Sequence, residues 1–244
     1  MTFHSKMSNR CIKTVLFDLD GTFADTAPDL AHALNQTLAA HQHATLALEQ
    51  IRPVVSHGGK ALIELGFGLD ENHPEFEPLR QELLAFYLQD IALHTQLFEG
   101  IEALISGLHQ HNMNWGIVTN KPGWLTDPLM DSLMSSLELV IGACSIVSGD
   151  TLEQRKPHPA PLLHAARQCG VKPQSCLYIG DAERDIVAGK GAGMRTMVAR
   201  YGYIEATDDP ANWKADVYVD HPNEILNWIE QINTDKPINA KHAN

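Results

Sequence analysis

The sequence predicts a doubly wound α/β fold, a parallel Rossmann-like sheet, with a second, smaller all-helical domain inserted near its start. Three observations predict it. Short apolar or β-branched runs recur without the alternation that a sheet with one wet face would show. Helical patterns separate these runs, which is the strand–helix rhythm of parallel sheets. That rhythm stops between residues 26 and 97, where only helical periodicity is found.

The strand candidates are Thr14–Phe17, Trp115–Thr119, Leu139–Ile141, Leu177–Ile179, Thr196–Ala199 and Val217–Val219. Ile101, Leu104, Ile105 and Leu108 stand at i, i+3, i+4 and i+7, one helical stripe. Further helices are expected near 124–135, 159–169, 183–190 and 223–232. Within the insertion, Thr26-Ala-Pro-Asp29 has the form of a helix start, a hydroxyl cap with an acid three residues on. Leu30, Leu34 and Leu38 repeat every four residues, as do Leu79, Leu83, Tyr87 and Ile91, and no strand is expected among them. The α/β core is therefore assigned to 11–25 and 98–232 and the helical domain to 26–97. Residues 1–10 and 233–244 are read as flexible ends.

Composition narrows the function. The chain has 244 residues, 44% of them hydrophobic, enough to bury a core and not to stay disordered. Eighteen Lys+Arg stand against 30 Asp+Glu, a formal net charge of −12. That balance argues against nucleic-acid or membrane-surface partners, which are held by basic residues. Cys11, Cys144, Cys169 and Cys176 form no C-x-x-C pair, so they are expected to be buried or bystander thiols. The opening M-T-F-H-S-K-M-S-N-R lacks the apolar stretch of a secretory signal, and no run reaches membrane-spanning length. A cytoplasmic monomer is the expectation, with Met1 or Met7 as its start.

Asp18 and Asp20 fall where the first strand should end, followed by Gly21. In parallel sheets ligands bind beyond the carboxyl ends of the strands. Residues i and i+2 share one face of extended chain, so both acids could address one ligand. Alone, D-x-D-G reads equally well as a solvated turn. The other strand ends decide. The second runs into Thr119-Asn120-Lys121, Lys156 stands just before a helix, and C-L-Y-I ends in Gly180-Asp181 with Asp185 four residues on. A hydroxyl, a lysine and a second acid cluster thus arrive in order at one edge of one sheet.

In that order D-L-D-G-T, V-T-N, K-P-H-P and G-D-A-E-R-D resemble the four motifs of the haloacid dehalogenase superfamily, in its phosphatase branch, over about residues 12 to 230. The resemblance implies that the helical insertion is a cap domain closing over the substrate, with hinges near 24–27 and 95–99. It implies Asp18 as the nucleophile forming an aspartyl-phosphate, and Asp20 as the acid and then the base. Mg²⁺ would be held by Asp18, Asp181 and the backbone carbonyl of Asp20, with Asp185 behind them. Charge arithmetic also demands a cation: unit charges about 4 Å apart repel by about 4 kcal/mol at an effective dielectric of about 20. Lys156 would offset remaining negative charge, and Gly21, Thr119 and the amide of Asn120 would meet the phosphate.

Within the family, L-F-E-G, W-G-I-V-T-N-K-P and Y-G-Y-I followed by D-P-A-N-W-K-A-D resemble phosphoglycolate phosphatases and, nearer still, N-acetylmuramic acid 6-phosphate phosphatases. A Mg²⁺-dependent hydrolase of a small phosphate ester is expected, acting on 2-phosphoglycolate or N-acetylmuramic acid 6-phosphate. The alternatives are a sugar phosphomutase of the β-phosphoglucomutase type, or a non-catalytic regulator that binds phosphate and metal. Dehalogenation is disfavoured, because dehalogenase members lack an acid at the position of Asp20.

Other signals were weighed. S-H-G-G-K, residues 56–60, reads either as a loop turning His57, Gly58, Gly59 and Lys60 to the substrate crevice or as a plain helix-start turn. A-G-K-G-A-G-M, residues 188–194, follows a helix and precedes a strand, so it reads as helix termination and not as a dinucleotide loop. The pairs His41/His43 and His109/His111 are expected at the solvated surface, Tyr203 and Trp213 in core packing.

Overall fold

In the computed structural model, which describes residues 11–136, 142–205 and 207–234, the chain enters through β1 (Thr14–Phe17) and the two-residue β2 (Ala24–Asp25). Helices α1 (Ala27–Ala40), α2 (Leu48–Ile51), α3 (Gly58–Phe67) and α4 (Phe76–Gln89) follow, with a 3-10 turn, Arg52–His57, between α2 and α3. The return strand β3 (Gln96–Leu97) leads to α5 (Ile101–Gln110), β4 (Asn114–Val118), α6 (Gly123–Ser136), β5 (Ser145–Val147) and α7 (Ala160–Gln168). Then come β6 (Cys176–Gly180), α8 (Glu183–Gly191), β7 (Arg195–Ala199), β8 (Val217–Val219) and α9 (Asn223–Asn233).

Six strands make one parallel sheet in the order β5-β4-β1-β6-β7-β8. Helices cover both of its faces, which is why β1 is buried throughout and reads as a continuous apolar run. Alternate side chains take opposite faces. Val15 and Phe17 pack in one cluster with Ile105 and Leu108 of α5 and Ile225 and Ile229 of α9. Leu16 and Tyr178 belong to another, with Leu162 and Ala165 of α7 and Ala188 of α8. Strand order then positions the site. The chain runs from β1 to β4 and β5 on one side, then crosses to β6, β7 and β8 on the other, so β1 lies at the switch point. Asp18 therefore emerges between Thr119, just past β4, and Asp181, just past β6.

Helices α1 to α4 pack around a cluster of their own, built on Leu30, Leu34, Leu38, Leu62, Leu79, Leu83 and Tyr87. The four-residue spacing of the leucines is thus the buried face of this helical lobe, although Ile91 lies beyond the end of α4. Leu125 and Tyr203, from the sheet-bearing part, join the same cluster and tie the two parts together.

Four expectations are corrected, and a fifth falls outside the described residues. A strand does occur within 26–97, since β3 pairs antiparallel with β2; two residues are too few to show a period. The strand expected over 139–141 lies outside the described residues, and the place beside β4 is taken by Ser145–Val147. Cys144 and Cys169 are disulfide-bonded, not bystanders. They are 25 residues apart, and only the fold brings the entry to β5 beside the end of α7, so their spacing carries no signature. Asn233 is not a loose end: its amide accepts from Ile12 N at 2.8 Å and donates to Ile12 O at 3.1 Å. Finally, Thr26 precedes α1 but makes no side-chain cap.

Its companion Asp29 instead clasps the two chain crossings. The buried carboxylate accepts from His94 N at 2.8 Å, from Thr95 N at 2.9 Å and from the Thr95 hydroxyl at 2.6 Å. Asp29→Ala would leave these buried donors without an acceptor, an expected loss of about 3 kcal/mol. Urea unfolding checks this, with Asp29→Asn expected to lose less because it keeps an acceptor oxygen.

Candidate active site

Asp18 is the first residue past β1, and its peptide N–H donates to Ile179 O at 2.8 Å, fixing it between β1 and β6. Its Oδ1 accepts from Leu19 N at 2.8 Å and pairs with Lys156 Nζ at 2.8 Å. Lys156 also reaches Asp185 Oδ1 at 2.8 Å and the Tyr178 hydroxyl at 2.8 Å. An ammonium has three protons, and all three are committed to protein acceptors. Direct donation to a substrate oxygen would mean giving one up. Tyr178 in turn donates to Val118 O at 2.8 Å, so the lysine head is anchored to β4 and β6 together. Asn120 holds the lysine's backbone: Lys156 N donates to its Oδ1 at 3.0 Å, and its Nδ2 donates to Lys156 O at 2.9 Å. Thr119 is buried beside them, its hydroxyl accepting from Lys121 N at 3.1 Å.

Asp181 brings the second acid. Its Oδ2 accepts from Tyr203 N at 2.9 Å and from the Ser56 hydroxyl at 2.7 Å, while Oδ1 is buried and finds no hydrogen-bond partner among the described residues. Two glycines make room for it. A Cβ on Gly21, which sits at φ +81°, would fall 2.1 Å from Asp181 Oδ2, and one on Gly202 would fall 2.4 Å from Asp181 Cβ. Asp185, at the start of α8, uses both oxygens within the protein: Oδ1 on Lys156, and Oδ2 accepting from Ala182 N at 3.1 Å.

One carboxylate oxygen each from Asp18, Asp181 and Asp185 lie within 4.8 Å of one another, and all three residues are buried. Electrostatics follows from that crowding. Burial, then repulsion from Asp18 and Asp185, pushes the Asp181 carboxyl up to about 7. Burial also raises Asp18, against the pull of Lys156. A hard divalent cation suits this all-oxygen donor set, and the unpartnered Oδ1 of Asp181 is an atom it would satisfy.

Asp20 occupies a different setting. Its Oδ1 accepts from the Thr26 hydroxyl at 2.6 Å and from Lys121 Nζ at 2.9 Å. The Lys121 ammonium also lies 4.5 Å from the centre of the Tyr87 ring, on α4 of the helical lobe.

The 56–60 segment is a helix start: Gly58, at φ +73°, opens α3. His57 and Lys60 line a cavity of about 510 Å³ with Val54, Ala61, Leu65 and Glu205, and His57 Nε2 lies 3.1 Å from Glu205 Oε1. Gly59 does not face the crevice. It turns toward α4, with Arg80 and Leu84 nearest to its missing side chain, and Gly58 faces open space.

Several contributors were missed in the sequence. Lys121 and Arg184 lay inside the quoted motifs and were legible as charges next to the site. The expectation of core packing for Tyr203 holds for its ring but not for its N–H. The signals at Ser56 and Thr26 point to helix starts and not to these acids, because their partners are 125 and 6 residues away and neither spacing belongs to a motif.

A family model for haloacid dehalogenase-like hydrolases matches residues 15–199. The N-acetylmuramic acid 6-phosphate phosphatase of Pseudomonas aeruginosa is 40% identical over 225 residues, 92% of this chain and 98% of that one. A phosphoglycolate phosphatase of Xanthomonas campestris is 41% identical over 214 residues, 87% of this chain and 94% of that one. Among solved structures, a predicted phosphoglycolate phosphatase from Haemophilus somnus superposes with a TM-score of 0.76 at 24% identity, over 91% of this chain and 99% of that one. The chain belongs to the haloacid dehalogenase-like hydrolases, alongside relatives named as phosphatases.

The raised Asp181 carboxyl has a measurable sign. Its folded value, about 7, lies above its ordinary 3.8, so between those values the folded protein keeps a proton that the unfolded chain releases. Stability from this group therefore falls as pH rises through 7. In EDTA, Asp181→Asn should stabilise the protein at pH 8, by something of order 2 kcal/mol, and by clearly less at pH 5. Thermal unfolding at the two pH values reads the difference.

Proposed function

We propose that this protein is a Mg²⁺-dependent phosphomonoester hydrolase that works through an aspartyl-phosphate on Asp18. The observation that carries the reading is the convergence of Asp18, Asp181 and Asp185 within 4.8 Å, with Lys156 bonded into the cluster. Asp18, Asp181 and the backbone carbonyl of Asp20 would hold the cation, and Asp185 would steady the cluster from behind. Bound Mg²⁺ supplies the positive charge that lets a phosphate dianion approach a carboxylate.

The chain's own residues divide the remaining work. Lys156 and Leu19 N orient the Asp18 carboxylate by holding its Oδ1. Asp18 attacks phosphorus, the bond from phosphorus to the alcohol oxygen breaks, and Asp20 gives its proton to the departing oxygen. Asp20 then takes a proton from water, whose oxygen attacks the same phosphorus and frees phosphate and the Asp18 carboxylate. Both contacts of Asp20 fall on Oδ1, which leaves Oδ2 to carry the proton. Thr119 and the amide of Asn120 would donate to the phosphate oxygens, whereas the Gly21 N–H is already given to Ala24 O at 3.1 Å. The helical lobe would act as a cap that keeps bulk water from the aspartyl-phosphate.

Relatives named for either candidate substrate stand at nearly equal identity, so they do not separate the two. The cavity does favour one. At about 510 Å³ it far exceeds a two-carbon acid, and His57, Lys60 and Glu205 around apolar Val54 and Leu65 suit a polar ring with an apolar face. Its lining residue His57 directly follows Ser56, which touches Asp181, and in this reading the rest of a sugar phosphate held at Asp18 extends toward it. N-acetylmuramic acid 6-phosphate is the preferred substrate.

Phosphate release should require Mg²⁺, stop in EDTA, and fall at least about a thousandfold in Asp18→Asn. Activity surviving either treatment would refute the mechanism. In parallel assays kcat/KM for N-acetylmuramic acid 6-phosphate should exceed that for 2-phosphoglycolate by about tenfold or more. The reverse order would refute the substrate assignment alone.

A further inference from the structure

We propose that Ser56 is a positioning residue for the acid cluster: the 3-10 turn Arg52–His57 of the helical lobe closes onto Asp181 and completes the divalent-cation site, so that lobe closure and cation binding are coupled. The inference rests on the Mg²⁺-phosphatase reading above.

Ser56 is bonded twice, in opposite senses. Its hydroxyl donates to Asp181 Oδ2 at 2.7 Å, and its carbonyl accepts from Arg184 at 2.7 Å. Arg184 sits in the field of Asp18, Asp181 and Asp185, which hold its guanidinium charge against the cost of burial. A cation-bearing arm from α8 and an acid from the end of β6 therefore grip one residue of the lobe. The Asp181 contact is selective for one oxygen. Ser56 and Tyr203 N both address Oδ2, so the carboxylate is fixed in rotation and its other oxygen, buried and unpartnered, is left for a cation. Donors behind a metal-binding carboxylate set its orientation in this way.

The remainder of the turn is registered on the same network. Arg52 makes a two-pronged pair with Asp25, at 2.9 Å to each oxygen, and Asp25 Oδ1 accepts from the Tyr203 hydroxyl at 2.6 Å. Tyr203 thus holds Asp181 with its N–H and Asp25 with its side chain. The contacts form a ring that leaves the turn at Arg52, passes through Asp25, Tyr203 and Asp181, and returns to it at Ser56. Withdrawing the lobe would break this ring and leave Asp181 Oδ2 with only Tyr203. A cation that favours the fixed carboxylate must, by linkage, favour the closed lobe by the same factor.

Mg²⁺ titrations of the full chain by calorimetry, without phosphate or substrate, test the coupling, paired with hydrogen exchange over residues 52–57. Ser56→Ala should weaken Mg²⁺ binding about tenfold. Ser56→Thr keeps the hydroxyl and should bind within about twofold of the parent, a rescue that a purely space-filling role would not produce. Mg²⁺ should slow exchange across the turn in the parent and in Ser56→Thr, and not in Ser56→Ala. Equal Mg²⁺ affinity in the parent and Ser56→Ala, or failure of Ser56→Thr to rescue, overturns the coupling and leaves the phosphatase reading standing. A parent protein that binds no Mg²⁺ overturns both.

Discussion

Three carboxylates packed within 4.8 Å of one another in a buried place cannot all carry charge without compensation, and most of this molecule can be understood from that constraint. One lysine and one arginine lie close enough to help, through the contacts of Lys156 and the field of Arg184. Burial first, and repulsion among the acids after it, still push Asp18 and Asp181 upward against that help. A divalent cation would relieve that strain on the carboxylates. The crowding also explains why the neighbouring backbone is so spare. Gly21, Gly180 and Gly202 bring main chain against Asp181 and Asp185 where any Cβ would collide, so on those sides the acids are walled by peptide groups. The fold supplies the place for such a cluster because β1 lies at the switch point of the sheet, with β4 and β6 ending on either side.

The part of the site legible in the sequence is the part carried by strand ends. Asp18, Thr119 and Asp181 follow runs whose burial on both faces makes them continuously apolar, and a residue just past such a run must emerge at one edge of the sheet. The helical insertion was legible for the same kind of reason, since Leu30, Leu34, Leu38, Leu79 and Leu83 form the inner face of real helices. What failed was what has no period. Strands β2 and β3 are two residues each, and the Cys144–Cys169 bridge depends on the fold having already placed an edge strand beside a helix end. Thr26 and Asp29 look like a capping pair and do neither half of that work. One donates to Asp20 and the other accepts from the return crossing, while the helix start is served from elsewhere, Ala27 N donating to the Tyr203 hydroxyl.

The helical lobe contributes contacts to the site. Lys121 bridges Asp20 and the ring of Tyr87, so the acid that would handle the proton is partnered by a cation that leans on the lobe. Tyr203 belongs to the lobe's hydrophobic cluster while its N–H serves Asp181. Moving the lobe therefore changes the surroundings of both acids at once. A rigid lid over a finished site would need none of these contacts.

Lysine at position 156 follows from the same geometry. Three acceptors, on Asp18, Asp185 and Tyr178, each lie 2.8 Å from one nitrogen, an arrangement that fits three protons pointing apart from one atom. A guanidinium spreads its donors in a flat fork suited to two oxygens of one carboxylate, and could not meet three separate groups from a single point. The ammonium is buried, and it stays so because every proton is matched and two of the three acceptors are acids. Its backbone is clamped by Asn120, just past β4, the strand that flanks Asp18. The single lysine thus fastens strand β4, strand β6 and the acid after β1 into one unit, and the direction in which Asp18 points is set by that fastening.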